Sequence, residues 1–92
     1  MQLGTRLKKV KGTDAERFRV TLEYEDGFTG RVNLSPIFGN PAGKPLIAEI
    51  LRGHLFGACF VESGALAWPN GYELCPDALR RWVEEQRGRS VA

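Results

Sequence analysis

A single histidine and two cysteines are all that the chain offers towards transition-metal binding or nucleophile–base chemistry. Cys59 and Cys75 stand far apart, without a second pair or a CxxC spacing, which argues against a zinc knuckle and a thioredoxin-like redox site. His54 has no further ligands at recognisable spacing, so a helix-end or surface place is expected of it rather than metal binding or general-base work. Ser35 and Ser63 lack a G-x-S-x-G elbow. Gly27, Gly30, Gly39, Gly43 and Gly53 form neither a phosphate loop nor a dinucleotide fingerprint. Glu23, Glu25 and Asp26 crowd a hairpin turn, a poor place for a two-carboxylate hydrolytic cleft. No apolar run approaches the ~20 residues that span a bilayer, and the opening Met1-Gln2-Leu3-Gly4-Thr5-Arg6 lacks the apolar core of a signal peptide. These absences set the expectation of a cytoplasmic, non-enzymatic protein with no metal, no cofactor, no membrane attachment and reduced, partly buried thiols. Cys75 is the better of the two thiol candidates, because it precedes a helix start. With no partner base apparent, a packed thiol is preferred there too.

What is present fits a folded domain. The 92 residues leave room for a single domain over residues 1–92, since domains commonly run to about 100–150 residues. A hydrophobic fraction of 42% with 26% charged residues argues against disorder. The formal charge of +2 is too small to demand nucleic acid or an acidic membrane as partner. Positive charge gathers at the ends, with Arg6, Lys8, Lys9 and Lys11 at one and Arg80, Arg81, Arg87 and Arg89 at the other. Glu84 and Glu85 interrupt the second group. Solvated faces are the preferred reading of these groups over a nucleic-acid footprint.

The clearest local signal is alternation. Phe18, Val20, Leu22 and Tyr24 fall on one side of a strand, and Arg17, Arg19, Thr21 and Glu23 on the other. Asp26-Gly27 supplies the residues of a tight primed turn, and the chain returns through Phe28, Gly30, Val32 and Leu34. An earlier strand from about Thr5 to Val10 carries lysines that suit a sheet edge. After a loop of turn formers over residues 39–43, Pro45 suits the first turn of a helix. That helix places Leu46, Ile47, Ile50 and Leu51 on one face, with Gly53 in the left-handed position past its end. His54-Leu55-Phe56 is expected to be irregular or a single turn. Two short strands follow, residues 58–61 and 65–68, joined by Glu62-Ser63-Gly64. Pro69-Asn70-Gly71 is turn chemistry again. The last helix begins at Pro76 with Asp77 in its first turn and repeats Leu79, Trp82, Val83 and Gln86, with pairings Arg80–Glu84 and Arg81–Glu85 open to it. Gly88 is expected to stop it and the last few residues to be loose. The order β-β-β-α-β-β-α predicts the α+β class, an antiparallel sheet of about five strands with two short helices.

Tyr24-Glu25-Asp26-Gly27, Val32-Asn33-Leu34-Ser35-Pro36, Leu51-Arg52 with Phe56 after it, Gly64 to Gly71 and Leu74-Cys75-Pro76-Asp77-Ala78-Leu79 occur in an order and spacing that resemble the small bacterial proteins of domain-of-unknown-function family 2442. The likeness covers most of the chain, and its most specific part is Trp68-Pro69-Asn70-Gly71 followed by Leu74, Pro76 and Asp77. Typical members carry Asp at the place of Asn33 and read Leu-Arg-Asp-Pro where this chain has Leu51-Arg52-Gly53-His54. The resemblance implies a compact α+β domain, sometimes fused to a helix-turn-helix segment for which this chain is too short. It also implies a gene neighbour encoding another small protein, in the manner of a toxin–antitoxin pair.

Trp68, Asn70, Tyr72 and Glu73 form the cluster of most interest. Structurally it reads as a tight turn whose Trp fills the core and whose Asn caps backbone groups. Functionally it reads as a small recognition surface, an aromatic anchor with polar neighbours. The structural reading is preferred for Trp68 to Gly71, which leaves Tyr72 and Glu73 to meet a partner. The leading expectation is an antitoxin-like or adaptor module that binds another small protein, the product of an adjacent gene. The alternative is a nucleic-acid-binding accessory protein using Arg17, Arg19 and Arg31. Pairing into a homodimer is compatible with so small a core.

Overall fold

The alternation over residues 17–24 becomes strand β2 (Arg19–Tyr24) in the computed structural model, which describes residues 5–90 and, with their side chains, residues 5–87. Val20, Leu22 and Tyr24 are fully buried, while Arg19, Thr21 and Glu23 look outward. β2 pairs antiparallel with β3 (Thr29–Asn33), placing Val20 opposite Val32 and Leu22 opposite Gly30. On its other side lies β1 (Leu7–Asp14), the lysine-bearing edge, whose register slips between Leu7 and Lys9 and again between Val10 and Gly12.

The remainder, among the described residues, is α1 (Ser35–Phe38), α2 (Pro45–Arg52), a 3₁₀ turn (Phe56–Ala58), β4 (Phe60–Glu62), β5 (Ala65–Ala67), β6 (Glu73–Leu74) and α3 (Pro76–Ser90). The fold is α+β, as the sequence predicts. Its strands form two antiparallel sheets of three, ordered β1-β2-β3 and β4-β5-β6, where one sheet of about five was expected. No strand of the second sheet pairs in register with β1, β2 or β3, so the two sheets share no ladder. β1 still lies beside the second sheet, and the Leu7 N–H donates to the Gly64 carbonyl at 2.9 Å.

Two hairpins share one turn geometry. In Tyr24-Glu25-Asp26-Gly27-Phe28 the Gly27 N–H donates to the Tyr24 carbonyl and the Tyr24 N–H to the Phe28 carbonyl. In Trp68-Pro69-Asn70-Gly71-Tyr72 the corresponding bonds run from Gly71 to Trp68 and from Trp68 to Tyr72. Gly27 and Gly71 have φ of 92° and 93°, the left-handed conformation that glycine adopts without a steric cost. The third residue of each turn accepts from the N–H two places on: Asp26 Oδ1 from Phe28, and Asn70 Oδ1 from Tyr72. Asp26-Gly27 is therefore not a primed two-residue turn, since only Gly27 has positive φ. The primed geometry belongs to Ser63-Gly64, where both φ are positive, at 53° and 83°.

The end of α2 also differs from expectation by one residue. Gly53 has φ −88°, and His54 takes the left-handed place at φ 54°. His54 N–H donates to the Leu51 carbonyl and Leu55 N–H to the Ile50 carbonyl, the two bonds of a Schellman cap. The lone histidine thus closes a helix. α3 runs through Gly88 to Ser90 instead of stopping at Gly88. One glycine costs a helix about 1 kcal/mol against alanine, less than the packing of Leu79 and Val83 contributes. The expected looseness of the last residues falls partly on 91–92, outside the described residues.

α3 lies against β3, and Gly30 makes the approach possible: a Cβ there would come within 2.5 Å of Val83 Cγ1. At the helix start the Tyr24 hydroxyl donates to the Pro76 carbonyl at 2.7 Å. Burial pushes that phenol up to about 12. Arg80 spans the gap to the first hairpin. Its guanidinium stands 4.0 Å from the Phe28 ring centre and 2.8 Å from the Asp26 carboxylate, with Glu84 further off at 3.9 Å.

Gly30→Ala is expected to destabilise the protein by about 1–3 kcal/mol, because Val83 is buried and stiff at χ1; urea denaturation measures the change. The Arg80 hydrogen bond, with the Phe28 N–H, holds the Asp26 carboxyl below its ordinary 3.8. A depressed folded pKa gives stability that is present above the ordinary value and lost as pH falls through the depressed one. Asp26→Asn keeps the turn's side-chain acceptor but removes the charge. It should be less stable than the parent near neutral pH and converge with it in strong acid, as read from denaturation midpoints across pH 2–7.

Candidate functional site

The sequence-predicted cluster is split by the fold. Trp68 is 1% exposed. Its ring centre lies 5.3 Å from that of Phe38, 6.1 Å from Phe56 and 5.7 Å from Tyr72, and its indole N–H donates to the Phe56 carbonyl at 3.0 Å. It is a core residue out of a partner's reach. Asn70 is half-buried and ties its turn to α2: the amide nitrogen donates to the Leu46 carbonyl at 3.0 Å and to Glu49 Oε1 at 2.9 Å. Glu73 is exposed on β6, opposite Ala67. Tyr72 is half-buried, and desolvation raises its phenol above the ordinary 10. Tyr72 borders a concavity.

That concavity is a shallow cleft of about 380 Å³ lined by Ile37, Lys44, Pro45, Leu46, Ile47 and Tyr72. Its walls come from α1, from the start of α2 and from the residue after the Trp68–Gly71 turn. Leu46 is 42% exposed, the most of any large aliphatic side chain among the described residues. Ile37 also lines a second cleft of about 210 Å³, shared with Asn33, Leu34, Pro36, Trp82, Glu85 and Gln86. The two clefts therefore meet at Ile37.

Sequence reasoning missed Ile37, Lys44 and Leu46. The spacing places Leu46 with Ile47, Ile50 and Leu51 on one helical face, of which Ile47 and Ile50 are buried and Leu46 is exposed. A usable signal was present, because Ile47 and Ile50 fall at the centre of the apolar arc and Leu46 and Leu51 at its two edges. Asn33 organises the turn into α1 with its side chain. Its Oδ1 accepts from the Ser35 N–H at 2.9 Å.

No family model, curated protein or solved structure matches the chain.

The remaining chemistry is sparse. Burial pushes the Cys59 thiol up to about 11, which suppresses its thiolate. Cys75 is exposed immediately before α3. Among the described residues no group of three or more His, Cys, Asp or Glu side chains is arranged to hold a metal ion, and no helix is long and apolar enough to cross a membrane.

Asn70 is the joint between the turn and the cleft wall. Asn70→Ala removes three hydrogen bonds at a half-buried site and is expected to cost about 1–2 kcal/mol. Asn70→Asp keeps the acceptor for Tyr72 but sets a carboxylate against Glu49, so it should be at least as damaging. Thermal and urea unfolding of both variants check this.

Proposed function

We propose that the protein is a non-enzymatic interaction module, antitoxin-like or adaptor-like, that holds another small protein on the Tyr72–Leu46 cleft. The observation that carries the reading is an apolar floor with an unanswered charge. Ile37, Leu46 and Tyr72 offer apolar surface side by side, and Lys44 at the rim has no carboxylate within ion-pair distance among the described residues. The complementary partner presents one or two apolar side chains with an Asp or Glu beside them. Apolar anchors at a cleft centre provide most of the affinity in such contacts, and rim charges guide encounter. Rigid walls support this use, because the aromatic cluster fixes Tyr72 and the Asn70 bonds fix Leu46. The resemblance to family 2442 nominates the product of an adjacent gene as the partner.

The test is co-purification of the full chain with that product. Leu46→Asp should abolish capture and leave the melting temperature almost unchanged, because Leu46 is exposed and an acid in the first turn of α2 suits the helix dipole. Lys44→Ala should weaken capture less. Retention of the partner by folded Leu46→Asp, or no association of the parent protein at micromolar concentration, refutes the reading.

A further inference from the structure

The outer face of the first sheet is polar and concave, away from the Tyr72–Leu46 cleft. A cleft of about 550 Å³ is lined there by Arg19, Thr21, Arg31, Asn33, Gln86 and Arg87. Its cationic character follows from strand register. Arg19 stands opposite Asn33, and Thr21 opposite Arg31, so Arg19 and Arg31 are diagonal neighbours on one face, a separation of about 7–8 Å.

The two carboxylates that the strands carry on this face are engaged elsewhere. Asp14 lies opposite Arg19 in register, but its Oδ2 is 3.1 Å from Arg17 Nη1. Glu23, on the same face of β2, is placed between Lys8 and Lys9 at 3.8 and 3.9 Å. Neither Arg19 nor Arg31 has a carboxylate within ion-pair distance among the described residues. The floor beneath them is held in place. Gln86 accepts from the Asn33 N–H at 2.8 Å and donates to the Asn33 carbonyl at 3.0 Å, closing the edge of β3 as a further strand would. Arg87 is anchored on the Thr29 carbonyl at 2.7 Å and lies 5.0 Å from the Phe28 ring centre.

We propose that this face is a phosphate-binding cleft in which Arg19 and Arg31 hold the phosphoryl oxygens of a small phosphorylated ligand, with the Thr21 hydroxyl between them as a neutral donor. Guanidinium forks match phosphate oxygens in pairs. The volume is within the range of small-molecule sites. None of the lining side chains is aromatic, so the face lacks the stacking platform that single-stranded nucleic acids use. That absence favours a small ligand over an oligonucleotide.

The experiment is titration of sodium pyrophosphate into the full ¹⁵N-labelled chain at low salt, following the amides of Thr21, Arg31 and Asn33. Saturable shifts confined to the cleft are expected. Arg31→Gln and Arg19→Gln should each weaken binding by about tenfold or more, with unchanged circular dichroism. Arg52→Gln, at the end of α2, removes the same charge elsewhere and should alter affinity by no more than about twofold. Absence of saturable shifts at millimolar pyrophosphate overturns the proposal. So does equal weakening by Arg52→Gln, which would reduce the effect to net charge. Tight binding of a short oligothymidylate that pyrophosphate cannot displace also overturns it and assigns the face to nucleic acid. Leu46→Asp should bind pyrophosphate as the parent does, so this proposal and the partner-docking proposal fail separately.

Discussion

Burying an indole leaves its N–H in need of an acceptor, and the Phe56 carbonyl supplies one for Trp68 at 3.0 Å. That bond joins the 3₁₀ turn to the end of β5. Around it Phe38 brings in α1, Phe18 brings in the loop between β1 and β2, and Tyr72 brings in the strand that follows the turn. An unpaired indole N–H in the same place would carry a desolvation cost of about 1–3 kcal/mol. The same packing tolerates an unusual backbone. Phe18 sits at φ 55°, a conformation unfavourable for a bulky residue. Its ring lies 5.6 Å from Phe56 and 6.0 Å from Phe38, and its carbonyl accepts from the Leu34 N–H. The two sheets are thus joined less by strand pairing than by aromatic side chains meeting between them.

A second constraint acts along α3. β3 is an edge strand, and an open edge invites pairing with other chains. Here Gln86 occupies both backbone groups of Asn33, and Arg87 occupies the Thr29 carbonyl. Two side chains of one helix therefore do for the edge what a neighbouring strand would do. The arrangement also holds the helix parallel to the strand it protects, with Gly30 giving Val83 room to approach. Arg80 completes the attachment at the other end through Asp26 and Phe28.

The result is a small scaffold with two surfaces of opposite chemistry. One is apolar, built where α1, α2 and Tyr72 leave aliphatic side chains only partly covered. The other is cationic, built where the wet face of β2 and β3 carries arginines while Asp14 and Glu23 are paired elsewhere. The cationic surface rests on paired strands, and the apolar one on two helices and a turn that Asn70 ties to α2. The Cys59 thiol is buried, His54 caps α2 and Cys75 is exposed before α3.

Much of this was legible in the chain because it is local. Period-two alternation in residues 18–24 dictates which side chains β2 buries, and Gly27 and Gly71 mark the turns that return it and β5. Pro45 and Pro76 mark the starts of α2 and α3, and the apolar weight of Trp68 marks it as core. What tertiary structure decided is non-local. The amide of Gln86 finds Asn33 across 53 residues, and that of Asn70 finds Leu46 across 24. No periodicity encodes either meeting. The left-handed place fell to His54 rather than Gly53 because the bonds to Leu51 and Ile50 select the residue, not its propensity alone. Leu46 is outward because α2 is covered on one side only, by a core already filled with aromatic rings. Sequence by itself determined the β2–β3 and β4–β5 hairpins, the class of the fold and the central tryptophan, since each follows from neighbours along the chain. Which apolar and charged side chains were left uncovered was settled only when the distant elements packed, because exposure is a property of what lies opposite.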